Sequence, residues 1–396
     1  MAEHRHLLRV RDGHEARVSA VELFFDLIYV FSVTQLSHHL LAHLTIAGAV
    51  ETLVLWLAVW TAWQYTSWCV NWIDPETLPV RRLLFAIMLV ALVMASAIPE
   101  AFGSRGLVFA GAYVTIQVGR SVAMLMILGR QHPLTPNFQR ILAWFTVSGA
   151  LWIAGAFADG PTRVALWMLA IACEYFCLMI RFWFPGLGRS ETADWTIEGG
   201  HLAERWQLFV IVALGESVLV TGATFSGVAH WDGAIVWAFL AAFIGTLAMW
   251  WIYFDTSSRD GTEVITHSDD PGRIGMYFVY IHAILVAGII VSAVGNELVI
   301  AHPHGHMTGK DIAVLLAGPA IYLFGNALYK KVVYGRLTMS HLAGLAALAI
   351  LIPFAHHTDL LMMGIVTTIL LIIVAQWDTW TRRTSRTHAA LDHSSH

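Results

Sequence analysis

The segment from Ala20 to His43, AVELFFDLIYVFSVTQLSHHLLAH, decides the architecture. Its length suits a helix crossing a hydrocarbon core of roughly 30 Å, and it carries Glu22 and Asp26 one turn apart in an otherwise apolar frame. The nineteen residues before it are too long and too polar for the leading region of a cleaved signal, and no small-residue cleavage site follows, so the reading is a retained helix. Working outward, eleven further apolar runs of spanning length lie near 48–70, 80–98, 106–129, 138–157, 163–184, 203–222, 232–254, 274–300, 311–330, 338–355 and 360–378. The expectation is an all-α integral membrane protein of about twelve transmembrane helices. Composition agrees: 57% of the 396 residues are hydrophobic and 13% are charged, against about 25% charged in a soluble domain. A net charge of −4 leaves no basic field for holding nucleic acid. The lipid bilayer is the partner this composition implies.

Lysine and arginine placement tests that map independently, because cytoplasmic loops collect positive charge. The N-terminus and even-numbered connections carry Arg5, Arg9, Arg11, Arg17, Arg81, Arg82, Arg130, Arg140, Arg181, Arg189, Arg259, Arg273, Lys330, Lys331 and Arg336, and the C-terminus adds Arg382, Arg383 and Arg386, eighteen in all. The opposite side has three, Arg105, Arg163 and Lys310, while Arg120 and Arg205 fall within predicted helices. Both termini are thereby placed in the cytoplasm, with the chain in the inner membrane.

Twelve helices also suggest two parallel six-helix repeats. A shift of 181 residues lays Asp26 on Gln207, Gln35 on Glu216, Trp56 on Trp237 and Asp74 on Asp255. A shift of 206 lays Gly119 on Gly325 and Gly129-Arg130 on Gly335-Arg336. The expected organisation is a cytoplasmic tail over 1–19, a membrane half over 20–184, a Gly-rich charged linker over 185–202, a second half over 203–378 and a cytoplasmic tail over 379–396.

The string ELFFDL, Glu22 to Leu27, and the string GES, Gly215 to Ser217, resemble the bacterial low-temperature-requirement protein A family of multi-pass membrane proteins. The resemblance runs from Val21 to about the twelfth run. It implies a membrane location and no established reaction, so mechanism has to come from the residues.

Ionisable groups inside spans are the strongest functional signal, since a charge at mid-bilayer costs several kcal/mol unless paired, hydrated or neutralised. Glu22 and Asp26 share one face of the first helix; the bland alternative is that Glu22 stabilises the helix start and pairs with Arg17 or a loop arginine. Glu174 and Glu216 each lie about twelve residues into their helices, and Arg120 is read as the one comparably deep cation, leaving an excess of carboxylates that points to proton or cation handling. Arg120 is expected within ion-pair reach of Glu22, Asp26, Glu174 or Glu216. Gln35, His38 and His39 make the first helix polar on two sides, so it is expected to be surrounded by other helices or to line a cavity. The candidate substrate- or ion-binding set is therefore Glu22, Asp26, Gln35, Arg120, Glu174, Gln207, Glu216 and Ser217.

Other features carry blander readings. Trp56, Trp60 and Trp63 form a stripe whose expected role is lipid contact or interface anchoring, Asp74 and Asp255 are expected to cap turns, and Gly119 and Gly215 to serve packing or kinks. Cys173 and Cys177 flank Glu174 without a third matched ligand. His302, His304 and His306 make a histidine-rich outer loop, expected to be solvated, and His388, His393 and His396 lie in the polar tail. No nucleotide-binding or hydrolase motif is present and no cofactor is implied. The leading reading is a secondary transporter of a small solute or ion, possible through proton-carrying carboxylates; the alternatives are a membrane-embedded enzyme acting on a lipid or isoprenoid substrate and a scaffold needed for growth in the cold. The charge asymmetry gives a topology test: reporters fused after His396 and inserted near Arg140 are expected to read cytoplasmic and one at Gly305 external, and a cytoplasmic signal at Gly305 removes the twelve-helix map.

Overall fold

The structure is a computed structural model that describes residues 7–9, 11, 17–255 and 258–394. Each of the twelve apolar runs is a helix, and a thirteenth, short and strongly amphipathic, fills the connection after the eighth. In chain order they are α1 (Ala20–Ala42), α2 (Ile46–Trp72), α3 (Leu78–Ala97), α4 (Gly106–Leu128), α5 (Thr135–Ala156), α6 (Gly160–Met179), α7 (Gly199–Gly227), α8 (Gly233–Phe254), α9 (Ser258–Thr266), α10 (Pro271–Ala301), α11 (Gly309–Tyr334), α12 (Met339–Ala355) and α13 (Leu360–Ser394). Among the described residues β pairing is limited to isolated bridges. Among the described residues ten helices are long and apolar enough to cross a membrane. The two runs outside that set are α5, which opens on the polar turn Thr135–Arg140, and α12, which has only 17 residues. The chain is a multi-pass membrane protein. Most of the C-terminal tail's side chains, with those of Arg386, His388 and His393, and the whole of Arg5 and His396, lie outside the described residues.

Local chemistry sets the helix starts. Ser19 and Glu22 form a reciprocal capping box on α1, the Ser19 N–H donating to Glu22 Oε2 at 2.8 Å. The Thr45 hydroxyl accepts from the Gly48 N–H at the start of α2, and Asp311 Oδ2 accepts from the Thr308 N–H at the start of α11. Gly335 ends α11 at φ +72°, a left-handed turn that glycine adopts without a Cβ clash.

Two compact units are distinguishable, Met1–Phe209 with Ile265–Val279, and Val210–Val264 with Tyr280–His396. In the first, α1 lies against α2 and α3, α4 packs on both α3 and α5, and α5 on α6. Arg163, expected in an exposed outer loop, is buried there, and its guanidinium donates to the carbonyls of Gly103 at 2.8 Å, Ala158 at 3.0 Å and Ala101 at 3.1 Å. It supplies donors to chain ends that helices leave unsatisfied. The tryptophan stripe is also a correction: Trp56, Trp60 and Trp63 are 2%, 1% and 0% exposed and form core rather than a lipid-facing or interfacial surface. Conversely α1 is not enclosed, because Leu23, Phe24, Leu27 and Phe31 stand exposed along one side. Glu22, Asp26, Tyr29, Ser32, Ser37 and His39 are gathered on the buried face, while His38 is exposed.

In the second unit α8 lies against α13, and α11 against α12 and α13. The antiparallel contact of α10 with α11 is made by glycine on both helices: an added Cβ would lie 2.5 Å from Tyr322 N at Gly288 and 3.0 Å from Leu285 side-chain carbon at Gly325. Close backbone approach replaces the hydrophobic drive that lipid cannot provide. Gly119 and Gly215, by contrast, meet nothing within 4 Å, so they are not packing positions. We therefore expect Gly288→Val to lower stability by about 1–3 kcal/mol through overpacking, and Gly119→Ala to stay within about 0.5 kcal/mol of the parent, as read by thermal unfolding in detergent.

Candidate functional site

The capping box that starts α1 also aims Glu22 inward, and the helical period puts Asp26 one turn further along the same face. The first turns of α7 supply the complement with the same spacing of four. His201 Nε2 lies 2.8 Å from Glu22 Oε1 and Arg205 Nη2 donates to Asp26 Oδ1 at 2.6 Å, both pairs being 179 residues apart. Two equal offsets mean that α1 and α7 run in the same direction here, rung facing rung. Arg205 Nη1 also reaches Glu22 Oε1 at 3.4 Å, and its guanidinium lies over the rings of Phe25 and Trp63. All four charged or polar members are at most 1% exposed.

A second layer fixes these groups. Trp63 donates its indole N–H to Asp26 Oδ1 at 2.7 Å, and Ser67 accepts from Arg205 at 3.2 Å. Asn71 Oδ1 is occupied by the Glu198 N–H, so its amide nitrogen is turned to His201 Nδ1 at 3.1 Å. His201 Nε2 thus faces Glu22 and also lies 3.2 Å from Arg9 Nη2. Arg9 completes the set. The segment around it pairs with the end of α2, its N–H donating to Trp72 O at 2.9 Å, and its guanidinium reaches Glu22 Oε2 at 3.1 Å. The expected free cytoplasmic tail is thus anchored at Leu7–Arg9, and Glu22 both caps α1, as the bland reading had it, and joins a buried ion cluster. Two carboxylates meet two guanidinium groups, so the cluster is charge-balanced.

Arg120 is elsewhere. Its Nη2 donates to Gln117 Oε1, its Nη1 to Thr66 Oγ1 at 3.2 Å, and it lies over the rings of Tyr65 and Phe145. Among the described residues no carboxylate is within ion-pair distance of it, which corrects the expected pairing. The link to Glu174 is a relay: Gln117 Nε2 donates to Tyr113 Oη at 2.8 Å, and the Tyr113 hydroxyl donates to Glu174 Oε2. Trp152 donates to Glu174 Oε1 at 3.1 Å. With Arg205 and Arg9 counted, this unit has three cations, Arg9, Arg120 and Arg205, for Glu22, Asp26 and Glu174.

A third set of buried polar atoms has no partner among the described residues. Tyr29 and Ser32 continue the Asp26 face of α1, both 0% exposed, and Asp26 Oδ2, Tyr29 Oη and Ser32 Oγ have no hydrogen-bond partner among the described residues. Gln64 Nε2 is likewise unpartnered and, with Glu174, Thr61 and Tyr175, lines a cavity of about 10 Å³. Gln35 and Gln207 are half-buried and outside the cluster. Glu216 and Ser217 are buried in the second unit, where Ser217 Oγ and Thr221 Oγ1 have no partner among the described residues.

The remaining features find plain roles. Asp74 Oδ1 accepts from the Glu76 N–H in the turn before α3, while Asp255 Oδ2 takes the Thr379 hydroxyl at 3.1 Å and ties α8 to α13. Cys177 Sγ lies 3.0 Å from Glu174 O in its own helix. His302, His304 and His306 are exposed, and among the described residues no group of three histidine, cysteine or acidic side chains is placed to hold a metal. Lys330, counted as a loop charge in the sequence, is buried against Asp378 with His341 beside it.

The string ELFFDL now has a structural meaning: Glu22 and Asp26 belong to the cluster with Phe25 beside it, while Leu23, Phe24 and Leu27 are exposed. The model of the bacterial low temperature requirement A protein family matches residues 17–376. The chain belongs to that family. A relative in Rhizobium meliloti (strain 1021), itself uncharacterized, is 38% identical over 385 residues, which cover 96% of this chain and 93% of the relative. No solved structure matches. Within this low temperature requirement A protein the missed partners were Arg205, His201, Arg9 and Trp63. The signal available for two of them was the shared spacing, His201 to Arg205 matching Glu22 to Asp26. Because removing Arg205 strands the buried Asp26 carboxylate while Glu22 keeps Arg9 and His201, Arg205→Met is expected to destabilise the protein by about 3–5 kcal/mol, whereas Arg205→Met combined with Asp26→Asn recovers a large part of the loss; equal stability of the single variant and the parent in detergent unfolding refutes the cluster.

Proposed function

We propose that this low temperature requirement A protein is an inner-membrane secondary transporter of a small solute or ion, coupled to protons through carboxylates inside its spans, with both termini cytoplasmic and two parallel six-helix repeats. The observation that carries the reading is the column Asp26, Tyr29, Ser32 on the buried face of α1, where Asp26 Oδ2, Tyr29 Oη and Ser32 Oγ lack partners among the described residues. In a hydrocarbon setting each unsatisfied group costs of order 1–3 kcal/mol, a cost removed when water or a transported species fills the column. Glu174 supports the same reading, since it is 2% exposed and reaches Arg120 only through Gln117 and Tyr113. A proton on Glu174 removes the need for that remote compensation, and a proton lost from it draws on the relay; the group can alternate without stranding a bare charge.

A second reading, a membrane scaffold, is favoured by the balanced pairing of Glu22 and Asp26 with Arg205 and Arg9. Flux distinguishes the two. In proteoliposomes with an imposed pH gradient, we expect solute-dependent proton uptake by the parent and a drop to below about a tenth in Glu174→Gln, the amide keeping shape and losing the titrating proton. Tyr29→Phe, which leaves the ion cluster intact, should reduce the rate with unchanged insertion. Full activity in Glu174→Gln ends the proton-coupled reading, and a parent that moves neither protons nor solute moves the weight to the scaffold.

A further inference from the structure

The second unit contains its own orphaned polar site. A cavity of about 30 Å³ lies beside Pro319, inside the continuous helix α11, lined among others by Ser292, Asn296, Leu315, Pro319, Thr367 and Thr368. That is room for one small ion or about two waters. The space is kept by small neighbours: a Cβ at Gly245 would come within 3.1 Å of Thr368 Oγ1, and one at Gly364 within 3.2 Å of Val299. Ser292, 6% exposed, lines the cavity with an Oγ that has no hydrogen-bond partner among the described residues. Pro319 has no N–H, so the Leu315 carbonyl one turn earlier, at the cavity wall, lacks its intrahelical donor. Thr367 and Thr368 spend their protons on backbone carbonyls, Met363 O and Ala241 O at 3.0 Å each, which leaves their oxygen lone pairs as acceptors.

The chemistry of this set is one-sided. It offers hydroxyl, carbonyl and carboxamide oxygens, which suit a hard cation. It offers no carboxylate, so the second charge of Ca²⁺ or Mg²⁺ would stay uncompensated in a low-dielectric site. It offers no lysine or arginine for an anion. A backbone carbonyl without its helical donor is an oxygen ligand of the kind such a cation takes. We propose that the cavity at Ser292 and Pro319 is a binding site for one monovalent metal cation of the size of Na⁺, held by the Leu315 carbonyl, the Ser292, Thr367 and Thr368 hydroxyls and the Asn296 carboxamide.

The site does not rest on the transport reading, and its test uses no gradient. Full-length protein in detergent is titrated with radioactive Na⁺, and thermal unfolding is compared in NaCl and in choline chloride at equal ionic strength. One saturable site and an unfolding midpoint that rises with Na⁺ but not with choline are expected, since a ligand that binds only the folded state stabilises it. Ser292→Ala and the near-isosteric Thr367→Val should weaken binding at least about tenfold, and Pro319→Ala, which returns an N–H to Leu315, should act the same way. Absence of saturable binding in the parent, or equal midpoints in Na⁺ and choline, assigns the cavity to water and overturns the proposal. Parent-like affinity in both hydroxyl variants places the ion elsewhere and overturns it as well. Should the variants fail to fold, the parent titration alone still decides between ion and water.

Discussion

Arg205 between Asp26 and Glu22 is the contact on which the first unit depends. An isolated charge in hydrocarbon is prohibitive, so the two carboxylates of α1 can enter the membrane zone only if cations enter with them. The requirement brings the start of α7 beside α1, with a matching step of four residues, and the segment at Arg9 against the end of α2. It also explains why Trp63 and Phe25 are buried: their rings flank the guanidinium and shed the water that would otherwise weaken the pairing. α2 is then the common wall of both clusters, presenting Trp63 and Ser67 to the ion pairs and Thr66 to Arg120.

The second unit meets the same constraint with less charge. Its α10–α11 contact is built on glycine and close backbone approach, and a buried ion pair joins Lys330 of α11 to Asp378 of α13. Pro319 removes an N–H from the ladder of α11 where Ser292 and the two threonines converge. Polar atoms without partners among the described residues therefore occur in both units, along α1 in one and beside Pro319 in the other, at positions where lipid cannot satisfy them.

The helices were legible in the sequence because hydropathy and length act locally: a run of about twenty apolar residues in a bilayer has to satisfy its own backbone, and a helix does so without help from other segments. The inward face of Glu22 and Asp26 was legible for a similar reason, the helical period. Tertiary structure alone decided the partners. Hydropathy cannot tell a tryptophan facing lipid from one facing an arginine, so Trp56, Trp60 and Trp63 looked peripheral and are core. Depth alone made Arg120 seem the natural counter-ion, yet Arg205, nearer the helix start, has the reach and register to meet Asp26, and Arg120 is answered by neutral dipoles instead. Pairing across 179 residues is set by which helices pack together, and no local property of either segment encodes that choice.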